Sequence, residues 1–226
     1  MASKLREKWG DLGVRVTTGV ALGLVGLAAI AAGPRVFSVL VLVCGCIMIG
    51  ELAVMLRAGL ERKRDWGIAI GYGALIILGS QGLVALALDG GRAELVFYIG
   101  LVVVTDVMGY FVGRAVGGPK FWPSLSPKKT WSGAIGGWVG AAVLAVLCHG
   151  GLAAVTMPLM VFVALSVAIS FASQMGDIAE SAIKRHAGVK DASNILPGHG
   201  GVMDRFDGLV GVGALYYLLH LIDGVL

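Results

Sequence analysis

Charge is scarce in this sequence. Asp, Glu, Lys and Arg make up 14 % of its 226 residues, where a water-soluble chain carries about 25 %. So few polar side chains cannot cover a globule, which excludes a soluble protein. Cysteine is scarce as well. Cys44, Cys46 and Cys148 all sit in apolar stretches and form no C-x-x-C pair. A disulfide scaffold is thereby excluded, and the three read as small core residues rather than zinc or redox ligands. What the chain has in abundance is apolar: 57 % hydrophobic residues and a mean hydropathy of +0.87. Disordered and collagen-like chains are excluded by the same numbers. Such a sequence requires a bilayer.

A bilayer core takes ~20 apolar residues per helix. Seven stretches of that kind run near 16–32, 36–56, 67–88, 95–113, 132–148, 152–175 and 208–225. The expectation is an all-α fold, a polytopic transmembrane helix bundle of about seven spans. It forms a single integral membrane domain over 1–226, with N-terminal spans in 1–94 and the polar motifs in 95–226. Glycines fall inside these runs, among them Gly19, Gly23 and Gly26, then Gly133, Gly136, Gly137 and Gly140. Small residues let helix backbones approach in lipid, and such spans are compatible with a homodimer.

The basic residues orient the bundle. The N-terminal segment holds Lys4, Arg6, Lys8 and Arg15, and the second connection Arg57, Arg62, Lys63 and Arg64. The fourth holds Arg114, Lys120, Lys128 and Lys129, and the sixth Lys184, Arg185, Lys190 and Arg205. The alternate connections carry only Arg35 and Arg92. This predicts a cytoplasmic N-terminus in an inner (cytoplasmic) membrane. It also accounts for the isoelectric point near 9.1 without nucleic acid as a partner. Ala28-Ala29-Ile30-Ala31-Ala32 offers small residues after an apolar run, as a leader cleavage site would. The segment before it is long and contains Glu7 and Asp11, so the first stretch is expected to be retained.

Two of the cytosolic connections, 114–131 and 177–207, are chemically dense. Asp106 precedes the first inside an apolar helix, where a carboxylate is costly and faces a partner or a polar cavity. Arg114 lies two turns on, so a structural salt bridge and a polar pocket open to the cytosol both remain possible. Ser126-Pro127-Lys128-Lys129-Thr130 sets hydroxyls and two ammonium groups before a helix start, which attracts phosphate. Alone, the lysines would serve as ordinary anchors of a positive-inside loop.

The second connection says more. If the sixth helix continues, Asp177, Glu180, Ser181 and Lys184 fall at i, i+3, i+4 and i+7 and share one face. The bland alternative is a surface amphipathic helix. Lys190-Asp191 follows, then Leu196-Pro197-Gly198-His199-Gly200-Gly201, a turn too glycine-rich for helix. Asp204 and Asp207 stand i, i+3 at the start of the last helix, with Arg205 pointing elsewhere. Asp177, Asp204 and Asp207 are hard oxygen ligands suited to Mg²⁺, while Lys184, Arg185 and Arg205 can receive phosphate. Carboxylates and cations this dense suit phosphoryl-type transfer, in which positioning and charge neutralisation supply most of the catalysis.

The run from Ser181 through Lys184-Arg185, Lys190-Asp191 and Pro197-Gly198-His199-Gly200-Gly201 to Asp204-Arg205-Phe206-Asp207 resembles the signature of the phosphatidate cytidylyltransferases (CDP-diacylglycerol synthases). Asp106, Tyr110, Gly113-Arg114 and Ser126-Pro127-Lys128-Lys129-Thr130-Trp131 resemble that family's second block. The resemblance implies a membrane enzyme joining CTP and phosphatidate into CDP-diacylglycerol and pyrophosphate, with Mg²⁺ and room for a second cation. It places essential metal-binding carboxylates at Asp177 and Asp204, with Asp207 close by. Lys128, Lys129, Lys184, Arg185 and Arg205 would then hold phosphates, and His199 a turn or a phosphate hydrogen bond. The chain departs from the pattern at Ser132, where the family usually has Glu.

Three rivals are separable. A CTP-dependent polyprenol kinase would release CDP rather than pyrophosphate. A CDP-alcohol phosphotransferase spaces its aspartates four apart, whereas Gly201, Asp204 and Asp207 are three apart. A transporter would spread polar residues along several spans, with Glu51 and Asp106 on its path; here they concentrate in two connections.

Overall fold

The computed structural model describes residues 2–57, 63–151 and 157–223. Arg62 and the expected start of the sixth stretch at 152–156 lie outside the described residues, as do the side chains of Lys4, Arg6, Lys8, Lys63 and Arg64. Among the described residues, seven long helices follow in order. The first two, α1 (Ala2–Ala32) and α2 (Pro34–Arg57), are separated only by Gly33 at φ 117°. A glycine past one helix end and a proline at the first position of the next are the expected punctuation for such a reversal.

Helix α3 (Lys63–Ala85) runs into a π-helical turn at Leu86–Gly90, and α4 (Gly91–Val116) starts after it, with Gly91 at φ 81°. Gly117 ends α4 and leads into an antiparallel hairpin of β1 (Lys120–Trp122) and β2 (Ser126–Thr130), with Lys120 opposite Thr130 and Trp122 opposite Ser126. This hairpin is a small departure from the all-α expectation. Helix α5 (Trp131–His149) begins on Thr130, whose hydroxyl accepts from the Gly133 N–H at 3.2 Å, an N-cap. Next come α6 (Leu159–His186) and α7 (Met203–Asp223).

Among the described residues, five segments are long and apolar enough to cross a membrane: Gly13–Ala32, Pro34–Arg57, Trp66–Val116, Trp131–His149 and Leu159–His186. The third contains two helices, α3 and α4, joined by the π turn. Helix α7, which covers most of the stretch read at 208–225, is not among the five. The sixth apolar helix begins at Leu159 rather than near 152, after Pro158, and runs unbroken to His186. Val39, Val54, Ile70, Val103, Leu147 and Met160 point outward, each more than half exposed. In water that surface would be an aggregation liability; against lipid it is ordinary. The chain is a multi-pass helical membrane protein.

Helix α7 is wedged between α3 and α6, and glycines make the fit possible. A Cβ on Gly176 would overlap the Asp207 carbonyl oxygen, and one on Gly211 the Ala172 carbonyl oxygen. Gly82 and Gly213 meet in the same way across α3 and α7. Below the start of α7 lies a core of Met48, Leu52, Tyr72, Ile76, Ile183 and Met203. The backbone of α7 thus begins at a fixed depth against α6. That depth sets the geometry of the site.

Candidate active site

Because α6 continues to His186, Asp177, Glu180, Ser181 and Lys184 do share a face. The Ser181 hydroxyl donates to Asp177 Oδ1 at 3.4 Å, and Lys184 Nζ lies 2.7 Å from Glu180 Oε2. Helix α7 brings Asp207 to this face. One carboxylate oxygen each from Asp177, Glu180 and Asp207 lie within 4.8 Å of one another. Glu180 is 2 % exposed, and its Oε1 has no hydrogen-bond partner among the described residues. A buried, unsatisfied carboxylate oxygen is costly. Three converging hard-oxygen donors, one of them unsatisfied, fit a divalent cation such as Mg²⁺.

Asp204, a metal ligand by the family resemblance, is not one of these three converging carboxylates. Its Oδ1 lies 2.6 Å from Lys184 Nζ, and its Oδ2 accepts from Gly201 N at 2.7 Å and Ala192 N at 2.9 Å. Burial pushes this carboxyl up, but the Lys184 ammonium and the two backbone N–H groups outweigh burial and hold it below the usual carboxylate range. Asp204 thus ties the 187–202 loop and α6 to α7. Asp207, one residue ahead of the last apolar stretch, shows the opposite behaviour. Burial raises its pKa, and the neighbouring Asp177 charge adds to the rise.

Beside the cluster lies a cavity of about 570 Å³ between α4, the hairpin, α5 and α6. Asp106, Arg114, Lys120, Lys128, Lys129, Thr130 and Asp177 all line it. Asp106 and Arg114 therefore share a polar cavity, and Arg114 donates to the Tyr110 hydroxyl at 2.7 Å. Lys129 is ion-paired with Asp177 Oδ2, which links the hairpin to the cluster. Gln174, which the sequence did not single out, also lines the cavity. It is held by Trp138 Nε1, donating at 3.0 Å, and by its own bond to the Ala134 carbonyl. At the departure from the family pattern, the Ser132 hydroxyl donates to the Gly117 carbonyl and lies 3.0 Å from the Thr130 hydroxyl.

The remaining expected residues are more scattered. Ser126 is half-buried at the start of β2, while Arg185, Lys190 and Asp191 are exposed around the loop after α6. Arg205 is exposed and donates through Nε and Nη2 to the His199 carbonyl, so it braces the loop from within. Gly200 takes φ 86° there, and Gly201 is buried. His199 Nδ1 has no partner among the described residues, and a Cβ on Gly19 of α1 would lie 3.3 Å from its Nε2. The hydroxyl of Thr18 on α1 donates to the Pro197 carbonyl at 3.0 Å.

Residues 68–222, which hold the cavity, the cluster and the loop, match the model of the cytidylyltransferase family. The chain belongs to that family. Among curated cytidylyltransferases, it is 44 % identical over 185 residues to a phosphatidate cytidylyltransferase of Brucella abortus, covering 80 % of this chain and 64 % of the relative. It is 45 % identical over 136 residues to the Bacillus subtilis phosphatidate cytidylyltransferase, covering 59 % of this chain and 50 % of that one. An Arabidopsis thaliana protein named phosphatidate cytidylyltransferase 5, chloroplastic, is 33 % identical over 225 residues, or 96 % of this chain and 53 % of its own. The chain thus spans between half and two thirds of the length of these cytidylyltransferases. Helices α1 and α2 precede the residues that match the family model.

Proposed function

We propose that this chain transfers the cytidylyl group of CTP to phosphatidate, giving CDP-diacylglycerol and pyrophosphate, at the cytosolic face of an inner membrane. In this reading the chain crosses seven times with its N-terminus in the cytosol. The observation that carries the reading is the meeting of Asp177, Glu180 and Asp207 beside a cation-lined cavity. Arg114, Lys120, Lys128 and Lys129 stand at the same end of the bundle as Lys184, Arg185 and Arg205. That asymmetry is the one expected for a cytosolic side.

A phosphate oxygen of phosphatidate forms a bond to the α-phosphorus of CTP, and the bond to the bridging oxygen of the departing pyrophosphate breaks. A phosphate monoester is already largely ionised near neutrality, with a second pKa of about 6, so no side chain has to remove a proton. Asp177, Glu180 and Asp207 would hold Mg²⁺, which when bound offsets charge on the triphosphate. Arg114, Lys120 and Lys128 hold phosphate oxygens from the cavity wall. Lys184 holds Glu180 and Asp204 in place, a more internal role than the phosphate contact its motif suggests. The lipid enters from the cytosolic leaflet along the side of the cavity that Asp106 lines.

The test is incubation of purified, detergent-solubilised protein with labelled CTP, phosphatidate and Mg²⁺. The expected products are CDP-diacylglycerol and pyrophosphate in equal amounts. Release of CDP with a lipid alcohol as acceptor would support a lipid kinase instead.

A further inference from the structure

Glu51 lies in the last two turns of α2, outside the residues that match the family model, and is 3 % exposed. A carboxylate so placed among apolar neighbours needs partners. They come from the other end of the sequence. Its Oε1 accepts from the Ser193 hydroxyl at 2.6 Å and from Val202 N at 2.9 Å, and its Oε2 accepts from Met203 N at 2.8 Å. Val202 and Met203 open α7, and the first N–H groups of a helix have no partner within it. Such groups are ordinarily capped by the residue just ahead of the helix. Here the cap comes from a different helix, 151 residues earlier. Gly201 permits the approach, because a Cβ there would stand 2.6 Å from Glu51 Oε1.

Asp207 follows Met203 by one helical turn. The depth and direction at which α7 begins therefore fix where the Asp207 carboxylate stands relative to Asp177 and Glu180 on α6. Asp204 Oδ2 accepts from Ala192 N and Gly201 N of the same loop. The loop is held between two carboxylates, one from α2 and one from α7.

We propose that Glu51 is a positioning residue for the carboxylate cluster: it caps α7 from α2 and so holds Asp207 at the cation that Asp177 and Glu180 share. The inference rests on reading that cluster as a divalent-cation site. Glu51 itself is not one of the three converging carboxylates.

The test titrates Mn²⁺ alone into the purified full chain in detergent, with free Mn²⁺ read by electron paramagnetic resonance. Wild type, Glu51→Gln, Glu51→Asp and Ser193→Ala are compared, each with a thermal unfolding curve. Glu51→Gln keeps the size but turns an amide NH₂ toward backbone donors. It should bind Mn²⁺ about tenfold more weakly or worse, the range for residues that orient metal ligands. Glu51→Asp keeps the charge with a shorter reach and should recover part of the loss; it carries the test if Glu51→Gln does not fold. Ser193→Ala leaves both backbone bonds intact and should stay close to wild type. Wild-type affinity in either folded Glu51 variant, or an equal loss in Ser193→Ala, overturns the inference. Weaker Mn²⁺ binding in Glu51→Gln supports it even where the wild type makes no CDP-lipid, a result that counts against the proposed reaction alone. Intact turnover by a wild type that binds no Mn²⁺ overturns the inference alone.

Discussion

The ammonium of Lys184 on α6 lies 2.6 Å from Asp204 Oδ1 on α7. The same nitrogen is 2.7 Å from Glu180 Oε2, so one cation serves two carboxylates whose side chains are 2 % and 5 % exposed. Removing one partner of a buried ion pair leaves uncompensated charge behind. Lys184→Met should therefore destabilise the protein by about 3 kcal/mol. A thermal midpoint equal to the wild type's would show that the pair contributes nothing.

Asp177 and Asp204 should separate in their effects. Asp177→Asn removes a cluster oxygen without touching the loop, and is expected to abolish turnover of labelled CTP while the protein unfolds at the wild-type temperature. Asp204→Asn loosens Lys184, Ala192 and Gly201 together, so turnover and thermal midpoint should fall together. Comparing the two quantities for the two variants is the measurement.

Much of this arrangement was legible in the sequence, and the limits have physical causes. Apolar stretches marked the seven long helices of the described residues, and five segments among them are long and apolar enough to cross a bilayer. The i, i+3, i+4, i+7 spacing put Asp177, Glu180, Ser181 and Lys184 on one face, because helix geometry is local. That spacing did not say that Glu180 rather than Asp204 completes the cluster, since the choice depends on how α7 crosses α6. The hairpin at 120–130 was hidden because its apolar Phe121 and Trp122 sit among prolines and lysines that read equally well as an irregular loop. Glu51 stood alone in its helix, and no periodicity could point to partners 142 to 152 residues away. Gln174 gave no signal beyond being polar near the end of an apolar stretch.

The crossing of α6 and α7 at Gly176 and Gly211 is a second lever on the site. Adding a methyl at either position forces the new Cβ into the backbone of the facing helix, and overpacking of this kind costs about 1–3 kcal/mol. Gly176→Ala should do more than lower the thermal midpoint. It should move Asp207 away from Asp177 and weaken Mn²⁺ binding in protein that is still folded. Unchanged Mn²⁺ affinity in folded Gly176→Ala would show that the cluster tolerates a shift of α7.

Cation binding should also depend on acidity. Asp207 holds its proton to higher pH than an ordinary aspartate, because it is buried and faces Asp177. A cation must displace that proton, so Mn²⁺ affinity is expected to fall as pH drops through neutrality, with protons released on binding. Asp207→Asn should flatten the slope. Titrations at a series of pH values, wild type against variant, provide the check.

The hydrogen bond from Thr18 to the Pro197 carbonyl gives α1 an importance out of proportion to its packing, since this outlying helix leans directly on the turn that carries His199. A purification tag fused ahead of α1 would therefore load that turn mechanically. Asp223, at the far end of α7, lies about 24 Å along the helix from Asp207, at ~1.5 Å per residue, and makes the quieter point of attachment.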